Sequence, residues 1–352
     1  MSALNSTASR RAVLRGLFGG GALLAAGPLL AACGSDDDDS SSTTAAGLTT
    51  VTCQLGWKKF TQFGGHFAAL KNGYFTAEGI DAKFVSGGPN IDPVSVVTSG
   101  QADIGDANGS DILLSVSKNI PVMAFATIYQ STPNALMSLE DNPVNSLAAM
   151  AGKTVGLPNT ERPLLSAMLS QAGVDPSTVN MVPVGTDPSI LSSKQVDGYI
   201  GYGTQQGLSL RQSGVPVTIT YFSELGNPDY GNALFATKET IEGKKDLLTR
   251  WLRADRKGWD YFVKNPEEIA QYTWDQYHNE TGAVLADEKE SAKAAVPLIT
   301  GPDTEKHGLM WVDEAAFEKV YDLYKAAGLI DKPVDYASVL TTDILVGAGA
   351  TA

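Results

Sequence analysis

The sequence predicts an α/β protein of two domains, and three observations carry that expectation. Between residues 50 and about 222, short apolar or alternating runs interleave with helical patterns, as in a largely parallel sheet covered on both faces by helices. After residue 238, aromatic and aliphatic residues recur at helical spacing. The chain of 352 residues is longer than one hydrophobic core usually organises.

Taken in order, the first element is an export segment. Arg10, Arg11 and Arg15 precede an uncharged run from Gly16 to Ala32, a basic stretch followed by an apolar one. Ser9-Arg10-Arg11-Ala12-Val13-Leu14 fits the twin-arginine export type, with Val13 where a phenylalanine is more usual. Leu30-Ala31-Ala32-Cys33 resembles a lipobox, so residues 1–32 read as a cleaved signal and Cys33 as the lipid-bearing residue. The alternative is a membrane anchor that stays attached, but the run is at the short limit for spanning ~30 Å. Residues 33–48 follow, with four adjacent aspartates and almost nothing to bury. They read as a disordered tether with a reach on the order of 20 Å.

Removing residues 1–32 takes away three arginines and no acids, so the formal charge moves from −13 to −16. An acidic chain without a basic patch does not suit nucleic acid. With Cys33 committed to lipid, Cys53 is the remaining cysteine. It lies in an apolar run, reads as a buried small hydrophobe, and leaves no disulfide framework or thiolate metal site.

Strands are expected at 50–56, 81–86, 102–106 and 122–129, and again at 154–158, 180–185, 197–202 and 216–222. Helical patterns lie between them. Asp92-Pro93, Asp187-Pro188 and Asn265-Pro266 each place a capping side chain before a proline. Gly173, Gly214 and Gly328 follow helical runs and read as left-handed helix ends. Two extended, proline-containing pauses, 130–139 and 223–236, read as strand-like crossings between domains. Residues 49–135 and 226–345 then form one lobe and 136–225 the other. The stripes Leu248, Trp251, Leu252, Trp259, Phe262, Val263 and Phe317, Val320, Tyr321, Tyr324 read as core packing.

The blocks "GGHFAALKNGYFTAEGIDAKFV", "GGPNIDPVSVVTSGQADIGDANGSDILL", "IPVMAFATIYQSTPNALMS", "VDGYIGYGT" and "YGNALFAT" resemble, in that order, the solute-binding lipoproteins of ABC importers. The group concerned handles aliphatic sulfonates, nitrate, taurine, thiamin-pyrimidine precursors and riboflavin. The resemblance covers nearly all of residues 50–340. It implies a two-lobed fold of the periplasmic-binding-protein type II class, with two crossover strands and a cleft that closes on solute. It also implies a partner permease with its ATPase, membrane contact through the lipid anchor only, a monomer, and no cofactor or metal. The location implied is the outer face of the bacterial cytoplasmic membrane.

In open α/β sheets, ligands sit beyond the carboxyl ends of the strands. That rule nominates Trp57, with Phe63 and His66 close behind, then Ser86, Gly87 and Asn108, and Tyr129 before the first crossing. In the second lobe it nominates Asn159, Thr160, Glu161, Asp187 and Tyr202 to Gln206, with Tyr230 on the second crossing. Trp57, Tyr129, Tyr202 and Tyr230 offer faces for a flat ligand, or are ordinary half-buried aromatics. Asp187 is a ligand contact or a helix cap, and His66 a ligand-facing residue or a surface histidine. Where pyrimidine-precursor binders of the group tend to read Thr-Asn-Glu-Pro, this chain has Thr204-Gln205-Gln206-Gly207. Gln206 is neutral, a weaker acceptor than a carboxylate. Arg162, beside the cleft loop, either forks onto a carboxylate or sulfonate or is a solvated charge. Both details point to a neutral or anionic aromatic solute, and the expected class is a pyrimidine precursor, a flavin or an aromatic acid, with an aliphatic sulfonate, taurine or nitrate as the alternative.

Two other functions are open to a chain of this pattern. Thiamin pyrimidine synthases resemble this group but carry a cysteine-rich cluster and an active-site histidine. This chain has no such cluster, and His66, His278 and His307 stand in no metal-ligand spacing. No Gly-x-Ser-x-Gly elbow occurs, so a catalyst is not expected. A sensor or adhesion lipoprotein on the same scaffold is the third option.

Overall fold

The structure is a computed structural model that describes residues 47–227 and 229–352. The export segment, Cys33 and all of the tether before Gly47 lie outside the described residues. Among the described residues, no helix is long and apolar enough to cross a membrane.

Ten strands form two five-stranded sheets. β1 (Thr49–Gln54), β2 (Ile80–Val85), β3 (Ile104–Ala107) and β4 (Val122–Tyr129) belong to the first. β5 (Asn134–Leu139), β6 (Thr154–Leu157), β7 (Asn180–Pro183), β8 (Gly198–Tyr202) and β9 (Val217–Tyr221) make up the second. β10 (Gly231–Thr237) returns to the first. The strand orders are β2-β1-β3-β10-β4 and β7-β6-β8-β5-β9. β10 runs antiparallel to β3 and β4, and β5 antiparallel to β8 and β9. Each sheet is therefore mixed, with one reversed strand among neighbours that otherwise run together, and the two share one topology.

The eight strands expected from the sequence are all present, within a few residues of their expected ends. The pauses at 130–139 and 223–236, expected as strand-like crossings, each carry the chain from one sheet to the other. Their apolar parts are the reversed strands β5 and β10, and every residue of β5 is buried. A run buried on both faces has no polar alternation, so periodicity does not mark it as a strand. The strands are reversed because each enters its sheet from the opposite lobe.

Local signals mostly act as expected. Asp92 Oδ1 accepts from Val94 N–H at 3.0 Å, and Asp187 Oδ1 from Ser189 N–H at 2.9 Å. Asp187 is thus a helix cap. Asn265 is the exception: its amide donates back to Tyr261 O at 3.0 Å. The preceding helix ends at Lys264, and its free terminal carbonyls claim the side chain. Gly173, Gly214 and Gly328 all have positive φ just past helix ends.

The long helix Lys245–Lys264 buries Leu248, Trp251, Leu252, Trp259 and Phe262 against the first sheet's core. It meets the helix Gly64–Lys71 through glycine: a Cβ at Gly258 would lie 2.2 Å from Gly65 O. Phe317, Val320, Tyr321 and Tyr324 are buried as expected. Cys53 is fully buried, and burial pushes its thiol pKa well above the ordinary value, so the thiolate is disfavoured.

Candidate functional site

A cavity lies between the two lobes. Its walls come from the same edge of both sheets. Gly56 and Trp57 follow β1, Gly88 and Ile91 follow β2, and Asp106 to Asn108 close β3. From the other lobe come Pro158, Thr160 and Glu161 after β6, and Tyr199 to Tyr202 with Gln205 and Gln206 around the end of β8. Asn134 and Asn232 also line it. They are at the start of β5 and β10, because a reversed strand begins where its neighbours end.

Two hydrogen-bond chains tie the walls together. Tyr202 Oη donates to Asn232 Oδ1 at 2.9 Å, and Asn232 Nδ2 donates to Asp106 Oδ1 at 2.7 Å. Asn108 Nδ2 donates to Glu161 Oε1, and Asn134 Nδ2 to Glu161 Oε2, both at 3.1 Å. Each chain spans the two lobes. Asn232 has φ +55°, a left-handed conformation that asparagine tolerates better than most residues and that concentrates at functional sites. Gln206 Oε1 accepts from Tyr202 N–H at 2.9 Å. That bond commits the amide oxygen to the backbone and leaves Nε2 as the donor toward the cavity.

The cavity is acidic. Asp106, Asp111 and Glu161 line it, and no Lys, Arg or His is among its lining residues. Burial pushes the Asp106 carboxyl from its ordinary 3.8 up to about 7, against the pull of His66 and of the bonds from Asn232 and Gly56. Burial raises Glu161 as well, opposed by its two asparagine partners. Asp111 is raised by burial and by the neighbouring carboxylates Glu161 and Asp229.

Of the residues nominated from the sequence, the structure brings Trp57, Asn108, Tyr202, Gln205 and Gln206 to the cavity, along with Thr160 and Glu161. The others lie elsewhere. His66 and Phe63 are fully buried in the first lobe. His66 Nδ1 lies 2.6 Å from Asp255 Oδ1, with the rings of Phe84, Trp251 and Trp259 around it. His66 is thus neither ligand-facing nor on the surface: it points inward from its helix. Tyr129 sits behind the wall, its hydroxyl donating to Gln62 O and its ring edge-on to Tyr202 at 6.4 Å. Tyr230 turns the other way, onto Phe317, and its hydroxyl accepts from Asp313 N–H. Arg162 spends its guanidinium on Met181 O at 3.0 Å. Ser86 bonds Glu280, and Asn159 is exposed on a turn whose neighbours face the cavity instead. Asp106, Asn134 and Asn232 were not nominated. The sequence rule looks past strand ends, whereas Asp106 lies within β3 and the asparagines start strands that were read as crossings.

Comparison with known proteins follows the same lines. Residues 60–269 match the family described as NMT1/THI5 like. The chain is 28% identical over 296 residues to the formylaminopyrimidine-binding protein of Halalkalibacterium halodurans, covering 82% of this chain and 88% of that one. It is 24% identical over 307 residues to the riboflavin-binding protein RibY of Chloroflexus aurantiacus, covering 85% and 87%. In three dimensions it is similar to the alkanesulfonate-binding protein SsuA from Xanthomonas axonopodis pv. citri, solved bound to MOPS. The TM-score is 0.64 at 11% identity, over 85% of this chain and 99% of that one, a likeness of fold.

Proposed function

The chain belongs to the NMT1/THI5-like family, and from that premise we propose that it is the solute-binding protein of an ABC importer. It captures a small aromatic heterocycle, a pyrimidine precursor or flavin-like solute, in the interlobe cavity and delivers it to the permease. The observation that carries this reading is the cavity itself. It offers two aromatic walls, Trp57 and Tyr202, and a ring of amides and carboxylates with no cation among them. Aromatic faces hold a flat ring, and carboxylates accept from its N–H groups. Contacts from both lobes to one solute would favour the closed form.

A sulfonate or nitrate is the second reading. It rests on the fold shared with an alkanesulfonate-binding protein, whereas the cavity lining offers an anion no Lys, Arg or His. The names of the two relatives supply pyrimidine and flavin as solute classes. That the formylaminopyrimidine- and riboflavin-binding relatives are binding proteins favours a receptor over a catalyst. Cys33 as lipid anchor and the aspartate-rich tether complete the proposal, placing the receptor outside the cytoplasmic membrane.

A thermal-shift screen of the purified protein against pyrimidines, flavins, aromatic acids and sulfonates tests the solute class. A solute at 100 times its Kd adds about 2.7 kcal/mol of apparent stability. Shifts confined to oxyanions would reverse the order of the two readings. Loss of membrane association in Cys33→Ala tests the anchor.

A further inference from the structure

Asp106 is unlike the other acid that hydrogen-bonds across the cavity. Both Glu161 oxygens are engaged, by Asn108 and Asn134. Asp106 is 1% exposed and uses a single oxygen: Oδ1 accepts from Asn232 Nδ2 at 2.7 Å and Gly56 N–H at 3.4 Å. Its Oδ2 is buried and has no partner among the described residues. The carboxylate is also held in one orientation. Tyr202 occupies Asn232 Oδ1, so the Asn232 amide has only its Nδ2 to offer Asp106. The backbone of Gly56 closes the other side, where a Cβ would sit 3.0 Å from Asp106 Oδ1. Asp106 lines the cavity, and a buried acceptor without a partner is costly, so a donor brought against it by a bound solute would relieve that cost.

We propose that Asp106 is the specificity-determining residue of this cavity, its free Oδ2 accepting a hydrogen bond from an amino group or ring N–H of the bound heterocycle. This rests on the reading of the cavity as a solute site and narrows the solute to heterocycles that present an N–H donor to the first lobe. Asn232 and Tyr202 act as positioning residues: they orient the carboxylate and need not touch the solute's donor. Because Tyr202 belongs to the second lobe, Asp106 is fully oriented only when the lobes are together.

The test is a matched pair of probes, 4-amino-2-methylpyrimidine and 2,4-dimethylpyrimidine, which differ by one donor group at nearly constant shape. Titration calorimetry at pH 8 should show the wild type preferring the amino probe by about tenfold or more. Asp106→Asn turns a donor toward the cavity and should abolish that preference. Should this variant fail to fold, Tyr202→Phe removes the hydroxyl that orients Asn232 and should shrink the preference by about threefold or more. Loss of aromatic contact cancels in the ratio of the two probes. An amino preference that survives in the variants overturns the role of Asp106 and leaves the heterocycle receptor standing. A wild type that binds neither probe overturns both.

Discussion

Asp255 and Asp106 are both buried acids of the first lobe, each with one oxygen bonded and the other unpartnered. Their surroundings separate them. Asp255 pairs with His66 inside a box of Phe63, Phe84, Trp251 and Trp259, with no lining residue of the interlobe cavity among the six. Asp106 bonds Asn232 at the cavity wall, and the hydrogen-bond chain behind it reaches the other lobe. The lesson is that burying a polar group does not make a site. What a buried group can do depends on the space its free atoms face.

The largest expected effect tests the structural half of this contrast. His66→Ala leaves Asp255 buried without its partner and is expected to cost about 2–5 kcal/mol of stability. Because His66 also pulls the Asp106 carboxyl down, solute preference, measured as a ratio of affinities in any protein that still folds, should hold only well above pH 7, where Asp106 stays ionised. A changed ratio would mean that the aromatic box communicates with the cavity.

Asp106→Asn should act in the opposite direction on stability. With its native pKa raised to about 7 from 3.8, Asp106 binds more protons in the folded than in the unfolded state between those values. Its destabilising contribution is fully present above about pH 7 and fades as pH falls toward 4. The variant is therefore expected to gain about 1–3 kcal/mol at pH 8 and little at pH 4 in urea unfolding. An equal effect at both pH values would show that the acid is not raised by its burial.

Smaller effects sharpen the cavity half of the comparison. Trp57→Ala should weaken a heterocyclic solute by about 1–2 kcal/mol through lost stacking and burial, with a small oxyanion nearly untouched. Arg162→Ala should leave solute affinity within about 0.5 kcal/mol, because its guanidinium already serves Met181 O. A large loss of affinity there would mean that the arginine swings into the cleft when solute binds.

The strands and the helical stripes were legible in the sequence because their signals are local. Val122–Tyr129 is an apolar run interrupted only by Thr127, and Leu248, Trp251 and Leu252 keep one face of a helix. Trp57, Asn108, Tyr202 and Gln206 were reachable by a topological rule. His66, Tyr230 and Arg162 passed the same rule and lie elsewhere. Position along the chain places a Cα near the cleft, but the neighbouring packing sets the direction of the side chain.

By itself, the sequence determined the alternation of elements, the buried faces of its helices, the family and the aromatic residues at the cavity wall. The first two follow from composition or spacing within a few turns of chain, the family from a resemblance of ordered blocks, and the aromatics from a topological rule. Only the tertiary structure decided that Asn134 and Asn232 line the cavity and that Asp106, at its wall, keeps a buried oxygen without a partner among the described residues. Those facts depend on reversed strands whose partners are over 50 residues away in the chain, and no local pattern encodes such a meeting.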